Sequence, residues 1–304
     1  MQRRDVLLSA LAAATLGVVA PGRAASATSG APTRRSPAPI RTRDGVGLFV
    51  RDWGEGRPML FVHSWAMNSA MWAYQVADLS DQGLRCVAYD RRGHGRSDIP
   101  AGGYDMDTLA DDMAAVIEQL DLRDVVLVGH SMGCGEILRY VARHGSGRVA
   151  KIAFLAPATP FPLQTADNPH GAPMAYFEQM WAAWARDFPR WVEENRGPFF
   201  TPQTSPQMED WVIRMLEETP TPIAIATSRA MVTTDLRADL GRIDRPTLIL
   251  HGDKDASAPL ELTGRPTTAG IRGAVLKVYP GAPHGLFVTH MDQVNRDLLA
   301  FSRA

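Results

Sequence analysis

The stretch Val125-Val126-Leu127-Val128-Gly129-His130-Ser131-Met132-Gly133 decides the fold. Its four leading apolar residues, mostly β-branched, read as a short strand buried on both faces. The Gly-x-Ser-x-Gly segment that follows is a tight strand-to-helix turn. So sharp a turn needs small residues two before and two after Ser131, and it holds the serine in a strained conformation with its hydroxyl above the sheet. Beyond the turn, Ile137, Leu138 and Val141 form a helical stripe, which Gly145 ends. A serine at a helix N-terminus also has a dipole that favours developing negative charge.

Similar apolar runs lie on either side: Met59–Val62, Cys86–Tyr89, Ile152–Leu155, Thr247–Leu250 and Val275–Tyr279. Each is bounded by turn residues, and helical patterns separate them. Leu109, Met113, Val116, Ile117 and Leu120 share one helical face, with Asp107 placed to cap it. Strands alternating with helices predict a mostly parallel sheet. Ile40–Trp53, with Asp44-Gly45 at its turn, reads as an N-terminal β-hairpin. Residues from about 157 to 240 break the alternation. They carry no strong strand run but an aromatic-rich helical pattern: Phe177, Met180, Trp181, Trp184, Phe188 and Trp191, then Trp211 and Met215. This predicts a helical cap inserted between two strands of one sheet.

A serine hydroxyl needs a base to take its proton. For this turn type the base comes late in the chain and its orienting acid comes earlier. Pro283-His284-Gly285 follows the last strand and places His284 on a loop at the C-terminal edge of the sheet. His251-Gly252-Asp253-Lys254-Asp255 follows the preceding strand. Asp255 stands further out on that loop and is the expected partner of His284, with Asp253 as the alternative. A tetrahedral intermediate needs two aimed backbone N–H groups. Met132, directly after the serine, supplies one, and Trp65, in the loop after Met59–Val62, is the expected second.

Four segments together carry a resemblance: Gly129–Gly133, Asp90-Arg91-Arg92-Gly93-His94-Gly95-Arg96-Ser97, His251–Asp255 and Pro283–Gly285. They resemble the α/β-hydrolase superfamily, and within it the cofactor-free haloperoxidase, perhydrolase and arylesterase branch. The resemblance covers roughly residues 40 to 303. It implies an eight-stranded, mostly parallel sheet flanked by helices. It also implies a Ser131–Asp255–His284 triad, no metal, no cofactor, hydrolysis of small esters, and peracid formation when peroxide replaces water. The same triad would also serve a lactone, a thioester or a carbon–carbon bond beside a ketone. A ligand-binding or signalling protein could keep this fold with little turnover. One position departs from the family pattern: Ser64 follows His63 where glycine is usual, and glycine allows backbone conformations that serine resists. In this family Asp90–Ser97 is structural and braces the loop beneath the site. It lacks the lysine and spacing of a phosphate loop.

Over a catalytic serine, a cap must present an apolar ceiling to substrate. Trp181 and Trp184, flanked by alanines, are the candidates to line that pocket.

The rest of the sequence sets the context. Arg3-Arg4 precede an uncharged run from Val6 to Ala20, and Ala25-Ser26-Ala27 offers a cleavage site. Residues 1–27 therefore read as a signal peptide of the twin-arginine type, which implies a periplasmic or secreted protein. Residues 28–39 read as a flexible linker and 40–304 as the hydrolase domain. A formal net charge of −1 gives no electrostatic footprint for nucleic acid. The expected partner is a small-molecule ester, with no membrane anchor. Cys86 and Cys134 fall at opposite ends of a parallel sheet, too far apart for a disulfide.

Overall fold

The computed structural model describes residues 39–304. The expected leader, and all of the expected linker but Pro39, lie outside the described residues. Nine strands follow in chain order: β1 Ile40–Arg41, β2 Gly47–Leu48, β3 Val50–Trp53, β4 Arg57–Val62, β5 Leu84–Tyr89, β6 Val125–His130, β7 Val149–Leu155, β8 Thr247–Gly252 and β9 Val275–Tyr279. Seven of them form the central sheet in the order β3-β5-β4-β6-β7-β8-β9. Only β3 runs antiparallel to its neighbour.

The sheet thus has seven strands where eight were expected. The hairpin β1–β2 closes at Asp44-Gly45 and stays a separate two-stranded sheet. The backbone groups that could extend it are already engaged. Gly47 N donates to Asp98 Oδ2 (2.7 Å), and Gly47 O accepts from Asp98 N (2.9 Å). Phe49 N donates to Ser97 Oγ (2.9 Å), and Phe49 O accepts from Asp90 N (2.9 Å). The second half of the predicted hairpin, β3, leaves β2 and pairs with β5 in the main sheet.

Strand periodicity sorts the core into two layers. Met59, Phe61, Cys86, Ala88, Val126 and Val128 point to one layer. Their neighbours Leu60, Val62, Val87, Tyr89 and Leu127 point to the other. The helices Ala73–Asp81 and Met291–Arg303 cover the first layer through Val76, Leu79, Val294 and Leu298. Met106–Gln119 and Met132–His144 cover the second. Cys86 and Cys134 are free, buried, and on opposite faces of the sheet. The helix Met106–Gln119 is capped by Asp105, which accepts from Thr108 N, and not by Asp107 as expected. Asp107 instead sits in the first turn and pairs with Arg143 at 2.9 Å. β9 also differs from a doubly buried strand. It is the sheet edge, with Val275 and Val278 exposed and Lys277 paired to Asp297.

Between Leu155 and Thr247 the chain builds the helices Met174–Glu194, Pro206–Glu217, Thr221–Thr233 and Arg237–Leu240, with the single turn Gly197–Phe199. Met174–Glu194 is kinked at Asp187 (φ −159°, ψ 83°). Pro189 is the cause, since it lacks an N–H and clashes with a preceding helical turn. Asp187 Oδ1 recaps the second half by accepting from Arg190 N at 3.1 Å. Phe177, Trp181, Trp184, Phe188 and Val192 of this helix join the first layer of the core. Among the described residues, no helix is long and apolar enough to cross a membrane.

Candidate active site

Ser131 stands between β6 and the helix Met132–His144 at φ 54°, ψ −115°. An L-residue in this region is strained, and such strain persists only where the surroundings enforce it. Here they do so by contact. A Cβ at Gly129 would stand 2.9 Å from Cys134 N, and one at Gly133 would stand 2.6 Å from Val62 O. The two glycines therefore let the helix start, the strand end and the β4 loop close around the serine. Both Ser131 and His284 are nearly buried.

His284 lies five residues beyond β9. Its Nδ1 is 2.7 Å from Asp255 Oδ2. A carboxylate only accepts, so the ring carries its proton on Nδ1 and leaves Nε2 with a lone pair. Asp255 Oδ1 accepts from Ser257 N (3.0 Å) and Ala258 N (2.7 Å). Burial alone would raise the Asp255 carboxyl, but the His284 and His251 imidazoles and the Ala258 N–H outweigh it and hold Asp255 well below the usual carboxylate range. Asp253 is placed differently. Its Oδ1 accepts from Gly281 N at 2.7 Å and closes a turn at the surface.

His130 links the serine to this pair. Its ring meets that of His284 edge-on at 4.8 Å, and its Nε2 lies 2.9 Å from the His284 carbonyl. Burial, with the His284 charge adding to it, pushes His130 down to about 3, so it is neutral in the working range. Phe199, from the turn Gly197–Phe199, covers His284 at 5.6 Å, and its carbonyl accepts from Gly285 N at 3.1 Å.

The two expected oxyanion donors lie on segments that touch each other. Met132 is the first residue of its helix, so its N–H has no intrahelical acceptor. Trp65 lies in the loop after β4, which touches the helix start at Gly133. Ser64 is not left-handed; the residue of this loop at positive φ is Ala66 (φ 53°). The serine at the usual glycine position therefore carries no left-handed strain.

Arg91 holds the loop in place. Its Nη2 donates to His63 O (2.8 Å), its Nη1 to Ser64 O (3.3 Å) and its Nε to Glu136 Oε1 (2.9 Å). Glu136 belongs to the helix that Ser131 opens, and the Arg91–Glu136 pair is fully buried. Pinning the carbonyls of residues 63 and 64 fixes the peptide planes on the approach to Trp65. The sequence pattern assigns Arg91 only to a bracing block and does not mark Glu136, because that pair joins residues 45 apart in the chain.

The two cap tryptophans separate. Trp181 Nε1 donates to Ser228 Oγ (2.9 Å), and the Arg229 guanidinium lies 4.2 Å over its ring. Its partners all belong to the cap. Trp184 stacks on Trp65 at 4.5 Å, and its buried Nε1 has no hydrogen-bond partner. Trp65 Nε1 donates to Ala224 O of the cap at 2.8 Å.

Residues 57–291 match the family described as alpha/beta hydrolase fold. The chain is 41% identical over 268 residues to a non-heme haloperoxidase of Rhodococcus erythropolis, covering 86% of this chain and 98% of that protein. It is 36% identical over 273 residues to a bifunctional esterase/perhydrolase of Acinetobacter calcoaceticus, covering 87% and 99%. A solved esterase from Exiguobacterium antarcticum superposes with a TM-score of 0.85 at 31% identity, covering 88% of this chain and 99% of that one. The chain belongs to the α/β-hydrolase superfamily, in its non-heme haloperoxidase and perhydrolase branch.

Proposed function

We propose that this protein is a serine hydrolase that cleaves small carboxylic esters through an acyl-enzyme, with perhydrolysis as a second outcome of the same intermediate. One arrangement carries the reading. Ser131, held at positive φ at a helix start, shares a sheet edge with a His284–Asp255 pair bonded at 2.7 Å.

In this reading Ser131 Oγ attacks the ester carbonyl while His284 Nε2 takes its proton. Asp255 holds the imidazole in the Nδ1–H tautomer and stabilises the imidazolium. The N–H groups of Trp65 and Met132 bind the oxyanion. Collapse expels the alcohol, which receives the proton from His284. Water then attacks the acyl-serine to give the acid, or hydrogen peroxide attacks it to give the peracid. Either attack returns the proton to Ser131 through His284. The expected leader of residues 1–27 would place this chemistry outside the cytoplasm, and cell fractionation of the full-length chain tests that placement.

A fluorophosphonate probe should label Ser131 and no other serine. Ser131→Ala should abolish ester and peracid turnover while leaving the melting temperature within a few degrees of the parent. Near-parental turnover of every ester by that variant would refute the assignment.

A further inference from the structure

Asp255 is gripped by more than His284 and its own loop. His251, the penultimate residue of β8, is completely buried, and its Nε2 lies 3.3 Å from Asp255 Oδ2 and 2.8 Å from the Ala258 carbonyl. Both neighbours are acceptors, so Nε2 carries the proton; it donates to the Ala258 carbonyl and leaves the N–H beside the carboxylate. His251 Nδ1 is buried with no partner. The backbone at Gly264 packs against that edge so closely that a Cβ there would stand 2.4 Å from Nδ1. The ring is thus locked in one orientation, with one nitrogen unsatisfied and the other bonded to Ala258 O beside the carboxylate. An apolar residue would fill this strand position without burying an orphan acceptor.

We propose that His251 is a positioning residue for Asp255, one that fixes the oxygen offered to His284 and sets how strongly that oxygen holds a proton on the imidazole. The inference rests on the Ser131–His284–Asp255 reading. Oδ2 accepts from His284 Nδ1 and also lies 3.3 Å from His251 Nε2, whose N–H is bonded to the Ala258 carbonyl. The positive end of an N–H dipole this close makes the carboxylate less basic. The imidazolium that forms on His284 when it takes the serine proton is then less stabilised than beside an unshared carboxylate. The titratable groups facing His284 are Asp255, from the loop after β8, and His130, from the end of β6. His251 reaches it through Asp255. His130 is held neutral by burial, which leaves the carboxylate as the charge that sets the His284 proton affinity.

Two substitutions and one spectrum test this. His251→Phe keeps a ring but removes the donor, while His251→Gln keeps an amide N–H near the Nε2 position. The expected result for His251→Phe is an acid limb of kcat/KM moved up by about half a pH unit or more, with kcat down about tenfold. His251→Gln should restore both toward the parent. An unmoved limb, with glutamine no better than phenylalanine and both melting temperatures equally lowered, would reduce His251 to core packing and overturn the proposal. Should the phenylalanine variant not fold, imidazole ¹⁵N spectra of the intact protein decide. His251 should be the neutral Nε2–H tautomer, and its Nε2 resonance should move on Asp255→Asn. A resonance indifferent to that substitution overturns the proposal equally. This spectrum reads the His251–Asp255 contact directly. Fluorophosphonate labelling of Ser131 reads the triad, so failure of one is distinguishable from failure of the other.

Discussion

Lowering the pH from 7 to 5 should cost this protein a large part of its stability, through histidines rather than carboxylates. His94 and His130 are fully buried. Burial pushes each from an ordinary value of 6.5 down to about 3, helped by Arg91 beside His94 and by His284 beside His130. A group whose folded value is depressed in this way takes up its proton first in the unfolded chain. Its contribution is complete above 6.5, falls as the pH drops, and levels off below about 3. At pH 5 the unfolded-state preference amounts to about 2 kcal/mol for each histidine, or about 4 kcal/mol for the two. His63, driven down by burial with Arg91 and His94 adding to it, acts in the same direction. Glu136 and Asp112 act in the opposite direction, because burial raises them and they gain protons in the fold as pH falls. The net loss is therefore smaller than the histidine sum, yet large against a typical domain stability of about 5–15 kcal/mol.

A difference measurement removes the opposing groups. His94 Nδ1 lies 2.9 Å from the Arg92 carbonyl, so it is a donor that an asparagine amide can replace. In urea unfolding at pH 7, 6 and 5, the parent should lose about 2 kcal/mol more than His94→Asn over this range. Parallel pH dependences for the two proteins would show that His94 is not held neutral by burial and would refute the reasoning.

Three further outcomes follow from the site. Asp255→Asn should lower kcat by about 10⁴ by leaving the imidazole in the wrong tautomer, while Asp253→Asn, which disturbs only a turn bond, stays within a few-fold of the parent; the reverse ranking would move the acid to Asp253. Glu136→Gln leaves the buried Arg91 charge uncompensated and should destabilise by about 3–5 kcal/mol in urea unfolding, with less than 1 kcal/mol contradicting the clamp. Trp184→Ala should change the acetate-to-hexanoate ratio of kcat/KM, as a pocket methylene is worth about 1–3 kcal/mol, whereas Trp181→Ala should lower the melting temperature and leave that ratio alone.

How far these features were readable from sequence depended on how local their cause is. The β6 strand and its turn were readable because three signals coincide between Val125 and Val141: a β-branched run, two glycines at fixed offsets, and a helical stripe beyond. The contact between His284 and Asp255 was readable because each lies in a loop that follows a strand. Asp107 misled because a cap depends on where the chain turns, and two acidic residues stand two apart at that turn. The eighth strand failed for a non-local reason: Asp98 and Ser97, about fifty residues downstream, take the backbone groups of Gly47 and Phe49. Trp181 and Trp184 sit on one helix face with the same spacing pattern. Only the docking of the cap onto the β4 loop distinguishes them.

Trp65 is where that docking meets the chemistry. Its loop carbonyls are held by Arg91, which is anchored in turn on Glu136 of the helix that Ser131 opens. Its indole is held from the other side, by Ala224 O and by the Trp184 ring. Thr219 Oγ1 of the cap adds a bond to Ala66 O at 3.0 Å. On the reading proposed above, the N–H of this residue binds the oxyanion, so the donor is positioned by the cap as much as by the sheet. A cap that only roofed the pocket would affect substrate binding alone. A cap that also fixes an oxyanion donor must affect kcat for every substrate, because a donor displaced by a fraction of an ångström loses transition-state stabilisation without losing ground-state binding. Substitutions at Trp184 should therefore lower kcat for acetate as well as alter the preference among larger esters.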